Sequence, residues 1–184
     1  MANEFQQAPQ QPMGPQPGFQ PQGTPQLSFQ EAIQKGIAGL TNFNGRARRS
    51  EYWWCVLGVG IVNLVAYLIF NSIIGGVFGS AVAIICSIAC QFALAAVMAR
   101  RLQDTNKPGF LVWIYLALFV IGQFITLIAT FKANSDPFGA LSLIGTATLP
   151  LLLGGLLGLV LLIFCVMDSN MGPNKYGPSE KYPA

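Results

Sequence analysis

The sequence predicts an all-α polytopic membrane protein: four transmembrane helices preceded by a short amphipathic N-terminal helix. Three observations lead there. Of 184 residues, 53% are hydrophobic and only 9% are charged, whereas an ordinary soluble domain carries roughly 25% charged residues. The apolar residues fall in runs long enough to cross a hydrocarbon core, which takes about 20 helical residues. The charges sit between those runs, and the five arginines occur in only two places, Arg46, Arg48 and Arg49, then Arg100 and Arg101.

Residues 1–27 are rich in Gln and Pro and show no periodicity. Such a composition buries too little apolar surface to offset ordering entropy, so the segment reads as a disordered, partly polyproline-like tail. It has neither the basic nor the apolar region of a signal peptide. Ser28 and Glu31 have capping-box spacing, and Phe29, Ile33, Ile37 and Leu40 recur at helical intervals. Residues 28–43 are therefore expected to hold an amphipathic helix in the membrane interface or against the bundle end, weakened by Gly36 and Gly39. Asn44 is the expected N-cap of the next helix.

The membrane domain, 44–178, opens with Arg46, Arg48, Arg49 and Glu51 beside Trp53 and Trp54. Cations match lipid phosphates, indoles favour the interface, and hydrocarbon follows. Spans are expected at about 54–74, 77–99, 110–131 and 148–167. Gly75-Gly76 makes an uncharged turn, 104–109 a loop, and Pro108 suits the first turn of the third span. The last apolar run, 138–167, is too long for one simple span. It is expected to divide into an interfacial piece at 138–145 and a span from 148, with Pro150 near the helix start. One long helix kinked at Pro150 is the alternative. Residues 179–184 form a polar tail.

Four spans put nine of the ten basic residues on one side and Lys132 alone on the other. By the positive-inside rule both termini are expected in the cytoplasm. Glu51, Asp104 and Asp168 fall at the same ends as the arginines. An anion just past the end of the fourth helix opposes its macrodipole, so Asp168 calls for a cationic partner. Arg46, Arg48, Arg49, Arg100 and Arg101 are thus expected to meet Glu51, Asp104 and Asp168 in one interfacial network. The surplus of cations makes the arginines candidates for binding anionic lipid headgroups or phosphate, which the guanidinium fork engages bidentately.

Within the spans, Asn63, Gln91 and Gln123 are candidates for interhelical hydrogen bonds. Asn63 at about 15 Å and Gln91 at about 12 Å from the arginine side are close enough in depth to pair. Gly154 and Gly158 form a GxxxG, allowing close helix approach within the bundle or self-association between copies. Cys55, Cys86, Cys90 and Cys165 all lie in apolar runs and read as small packing residues rather than a disulfide framework or a metal site. No basic stripe with stacking aromatics suggests nucleic acid. The chain has no histidine, which removes the usual general base and the commonest metal ligand. No cofactor or metal is expected, and no catalytic residue is assigned.

The stretch from Phe43 to Trp54 (FNGRARRSEYWW) resembles the opening signature of the Domain of Unknown Function 805 family, small bacterial inner-membrane proteins. The stretch from Ala99 to Thr105 (ARRLQDT) resembles its second signature, and that from Gly172 to Pro178 (GPNKYGP) its closing one. The resemblance implies a multi-pass protein of the bacterial inner membrane without an established activity. The second signature commonly has His where this chain has Gln103, and the family's usual Trp after the loop glycine is Phe110 here. A hydrogen-bonding role survives exchange of His for Gln more easily than imidazole chemistry does. The expected function is a non-enzymatic structural or interaction protein whose arginine-rich rim binds anionic lipid or a partner. The alternatives are a small transporter or channel using Asn63, Gln91, Gln123 and Thr126, or an interfacial enzyme acting on lipid headgroups through Asp104 or Asp168.

Overall fold

A computed structural model describes residues 23–182. The expectation of a disordered tail falls mostly on residues outside that range. Helix α1 (Phe29–Ala38) is followed by α2 (Arg49–Tyr67), α3 (Gly76–Asp104), α4 (Leu111–Lys132) and α5 (Pro137–Val166), and no strand forms among the described residues. α2 continues through a π-helical segment, Leu68–Ile74. With that extension, α2 to α5 are four helices long and apolar enough to cross a membrane. Large apolar side chains such as Ile73, Phe78, Phe124 and Phe138 are exposed along their outer faces. The protein is a multi-pass integral membrane protein.

α1 starts where its cap dictates. The Glu31 N–H donates to Ser28 Oγ at 3.3 Å and the Ser28 N–H donates to Glu31 Oε2 at 2.9 Å. Gly36 and Gly39, read from sequence as weak points, are places of close approach. A Cβ on Gly36 would lie 2.5 Å from Cys55 Sγ of α2, and one on Gly39 2.6 Å from the Arg100 guanidinium. The helix lies so close to the bundle that a Cβ at either position would force Cys55 or Arg100 to move.

Asn44 is not the cap of α2. Its N–H donates to Asn42 Oδ1 at 3.1 Å, and the helix begins at Arg49 with Arg48 in the capping position and no side-chain cap. Glu51 in the first turn supplies the negative charge that a helix N-terminus favours. At the far end, Gly75 and Gly76 adopt φ of 66° and 64°, a left-handed conformation that glycine takes at little cost. α3 then returns and runs on through Arg100 and Arg101 to Asp104. It therefore carries those side chains on a rigid helix, where the sequence reading ended the span at residue 99. α4 begins at Leu111, after Pro108 rather than around it.

α5 corrects the expected division. Pro137–Val166 is one 30-residue helix with Pro150 inside it, the form weighed as the alternative. Its start is fixed by Asp136, whose Oδ1 accepts the Gly139 N–H at 2.9 Å, with Pro137 following in the first turn. Proline removes one backbone donor, but α5 runs through it unbroken and packs against α4 more extensively than any other two elements pack. At 1.5 Å per residue it is about 45 Å long, longer than the roughly 30 Å hydrocarbon core.

The up-down order brings the start of α2 and the ends of α3 and α5 to one end of the bundle. The principal apolar core lies there, around Tyr52, Cys55, Val97, Leu102, Val112, Leu116, Leu161 and Cys165. Lys132 and Asp136 lie at the opposite end, 3.7 Å apart.

Candidate anion and lipid site at the arginine-rich end

Asp104 is the centre of the first cluster. Its Oδ1 accepts from Arg46 Nε at 2.8 Å, and its Oδ2 pairs with Arg101 Nη1 and accepts from Ser169 Oγ. Arg46, Arg101 and Asp104 are all buried. Spare donors are used on backbone. Arg101 Nε donates to the Cys165 carbonyl at 3.0 Å and Nη2 to that of Met167, so this arginine caps the C-terminus of α5 and meets its negative dipole end. Arg46 Nη1 donates to the Gly172 carbonyl at 2.7 Å and Nη2 to that of Asn170. Arg46 thereby ties the segment after α5 back onto the bundle.

Glu51 forms the second cluster. Its side chain is fully buried, 3.1 Å from Arg100 Nη1 and 3.6 Å from Lys35 Nζ. Lys35 also pairs with Glu180, so α1, α2, α3 and the C-terminal segment converge here. The pairing is electrostatic without alignment. Glu51 Oε1 and Oε2 and Arg100 Nε and Nη2 lack a hydrogen-bond partner among the described residues.

Asp168 joins the third. Arg49 Nη2 lies 3.2 Å from its Oδ1, and Lys181 Nζ lies 2.7 Å from the same oxygen. Partial burial raises its pKa, but Lys181, the Ser169 N–H and Arg49 outweigh that and hold the carboxyl below its ordinary 3.8. A folded-state pKa below the unfolded one stabilises the fold above the unfolded value, and the benefit is lost as pH falls through the lowered one. The protection factors of residues 175–182, taken against the intrinsic exchange rate at each pH, are expected to be high at pH 6 and to fall as pH drops below about 4. Asp168→Asn should give the low protection already at pH 6. Unchanged exchange in the variant would mean that Asp168 does not hold the tail.

Next to Asp168 a cleft of about 610 Å³ opens at the polar-apolar boundary. Arg48, Arg49, Ser50 and Lys181 line one part, and Trp53, Trp54 and Leu57 the other. Residues 50, 53, 54 and 57 share a face because helical neighbours recur three and four apart. Arg48 Nη2 donates to the Thr24 carbonyl at 2.6 Å, and Trp54 Nε1 donates to the Leu27 carbonyl at 3.1 Å. The residues before α1 thus form a rim.

The five arginines therefore part into two groups. Arg46, Arg100 and Arg101 are buried against Asp104 and Glu51, because a desolvated guanidinium needs a counter-charge. Arg48, also buried and bonded to the Thr24 carbonyl, and Arg49, whose side chain is 43% exposed, line the cleft. Lys35, Ser169, Glu180 and Lys181, not singled out from sequence, are brought in by the folding back of α1 and the C-terminal segment. Gln103 Nε2 donates to the Phe43 carbonyl at 2.9 Å, a role that one imidazole N–H could also fill.

Among the mid-span residues, Asn63 and Gln91 do not pair as their depths suggested. Gln91 donates to the Tyr115 hydroxyl, and Gln123 Nε2 donates to Ser87 Oγ at 3.0 Å. Counting the depth of Asn63 from a span start near residue 54 understates it, because α2 begins at Arg49, which sets Asn63 about 21 Å from that arginine while Gln91 lies about 14 Å from Arg100. Gly154 and Gly158 lie against α4 of the same chain. Added Cβ atoms would stand 3.4 Å from Leu118 Cβ and 3.1 Å from the Tyr115 ring. No three-residue metal-ligating cluster occurs among the described residues, and the four cysteines are free.

A family model described as "Protein of unknown function (DUF805)" matches residues 40–178. That stretch holds all four membrane helices and the Asp104 cluster, while α1 and Lys181 flank it. No curated protein and no solved structure matches the chain.

Proposed function

This chain belongs to the DUF805 family of proteins of unknown function, and from its arginine-rich end we propose a non-enzymatic protein of the bacterial inner membrane that binds anionic lipid headgroups. The observation that carries this reading is the cleft lined by Arg48, Arg49 and Lys181 on one part and Trp53, Trp54 and Leu57 on the other. Cations beside indoles suit a phosphate whose acyl chains continue into hydrocarbon. Asp168 is the carboxylate paired with Arg49 and Lys181, so the three cations outnumber it. The positive-inside rule puts this end, and with it both termini, in the cytoplasm.

The acids argue against headgroup hydrolysis. Glu51 and Asp104 are enclosed, their side chains 0% and 2% exposed, so neither faces an open site, and Asp168 is held ionised by its neighbours. A general acid needs a carboxyl with a raised pKa in an open site.

Native mass spectrometry from mild detergent tests the proposal. The double variant Arg48→Gln/Arg49→Gln is expected to retain phosphatidylglycerol about tenfold less than the native chain, the effect of losing one charge-assisted hydrogen bond. Lys175→Gln, which is outside the cleft, should retain as much as the native chain. Equal loss from both variants would leave only nonspecific charge attraction and contradict the proposal.

A further inference from the structure

A second cleft, about 610 Å³, lies in the half of the bundle away from the arginines. α2, its π-helical extension, α3 and α4 line it. Its polar lining comprises Asn63, Tyr67, Asn71, Gln123, Thr126 and Thr130, together with Ser80 and Ser87, and includes no charged side chain. Asn63 stands about 21 Å along α2 from Arg49, and Asn71 and Thr130 approach the far ends of their helices. Hydrocarbon offers nothing to the spare donors and acceptors of these side chains, so such a lining suits a polar occupant.

The cleft is built, not left over. π-helical turns are rare and recur at functional sites, and this one runs for seven residues, Leu68–Ile74. The wider turn changes the register of α2, and Asn71 meets α3, where Ser80 Oγ donates to Asn71 Oδ1 at 2.7 Å. Gly79 makes this approach possible, since a Cβ there would collide with the Phe70 carbonyl. Spare hydrogen-bonding capacity of both kinds remains. The Asn71 amide keeps its N–H groups, and Gln123, which donates to Ser87, keeps its carbonyl oxygen. Thr126 and Thr130 give their hydroxyl protons to the carbonyls of Gly122 and Thr126 at 2.9 Å each, leaving oxygens that accept. Asn63 and Tyr67 add an amide and a phenol. Gln91 is bonded to Tyr115 and does not line this cleft, so the four-residue ladder of a transport path is not assembled.

Donors and acceptors without charge fit a neutral group bearing several hydroxyls, each of which both donates and accepts. We propose that this cleft binds an uncharged polyhydroxyl group, either a free sugar or polyol or the headgroup of a neutral glycolipid.

The test uses the full chain in phosphatidylcholine nanodiscs doped equally with monoglucosyl diacylglycerol and diacylglycerol, with bound lipid read by native mass spectrometry. The glucosyl lipid is expected to be retained in preference. Asn63→Leu/Gln123→Leu should reduce its retention about tenfold, as for the loss of two neutral hydrogen bonds. Thr126→Val, a milder change, should reduce it in the same direction, and Gln91→Leu should leave it unchanged. Displacement by free methyl glucoside supports recognition of the sugar by itself, and failure of displacement supports recognition of the lipid-borne form. No preference over diacylglycerol overturns the proposal, as does a preference that survives both Asn63→Leu/Gln123→Leu and Thr126→Val. The arginine-rich end takes no part in this readout, so the two sites stand or fall separately.

Discussion

Asp104→Asn is expected to destabilise the bundle by about 3–5 kcal/mol, the usual cost of leaving a buried charge without its partner. The carboxylate holds Arg46 and Arg101 at once, and its loss strands two buried guanidinium groups. Thermal unfolding in mild detergent reads the effect. A companion variant separates charge from shape. Replacing Arg46 and Arg101 by Met and Asp104 by Leu removes the whole cluster, and apolar replacement of a buried ion cluster is often neutral or stabilising. Much of the lost stability should therefore return. The C-terminal segment should nevertheless exchange hydrogen quickly, because Arg46 is what grips the carbonyls of Gly172 and Asn170. A triple variant as unstable as Asp104→Asn would contradict this account of the cluster.

Glu51→Gln should follow, at about 3 kcal/mol, the lower end for a broken buried pair. Glu51 has its cations at 3.1 and 3.6 Å but no aligned hydrogen bond, so less is lost than at Asp104. The damage should also be placed differently. Lys35 reaches Glu51 from α1, and Arg100 lies beneath Gly39. Hydrogen exchange in α1 should rise more than exchange in α4 or α5. By contrast, Asp168→Asn breaks half-exposed pairs, each worth about 1 kcal/mol or less. If Asp168→Asn matched Glu51→Gln in thermal unfolding, burial would not be what ranks these pairs.

Both effects rest on residues that the sequence marks openly. Two short arginine stretches, three acids at span ends and a nine-to-one charge asymmetry place Arg46 and Arg101 at one end of a four-helix bundle, and the Ala47 N–H donating to the Arg100 carbonyl at 3.2 Å joins those stretches directly. Which acid meets which arginine was not legible, because spacing along a helix gives height but leaves the facing partner to tertiary packing. Asn63 and Gln91 do not bond for a different reason, since α2 begins at Arg49 and so carries Asn63 deeper than Gln91. Pro150 reads as a boundary in isolation, yet α5 runs through it while packed against α4. Gly36 and Gly39 read as weak helix formers, and the reason for them appears only with Cys55 and Arg100 opposite. The π-helical segment has no periodic signature in Leu68–Ile74, which is apolar but for Asn71 and Ser72. Lys181 and Glu180 lie in a tail whose composition suggests only solvent exposure. Their pairing with Asp168 and Lys35 depends on the chain turning back through Gly172 and Gly177, at φ of 74° and 123°.

Tryptophan quenching by brominated lipid tests the headgroup assignment most directly. With Trp113 replaced by Phe, the remaining fluorescence comes from Trp53 and Trp54 at the cleft. Brominated phosphatidylglycerol should quench it at a much lower membrane fraction than brominated phosphatidylcholine, and Arg48→Gln/Arg49→Gln should abolish the difference. Equal quenching by the two lipids in the native chain would contradict an anionic-lipid site at this end of the bundle.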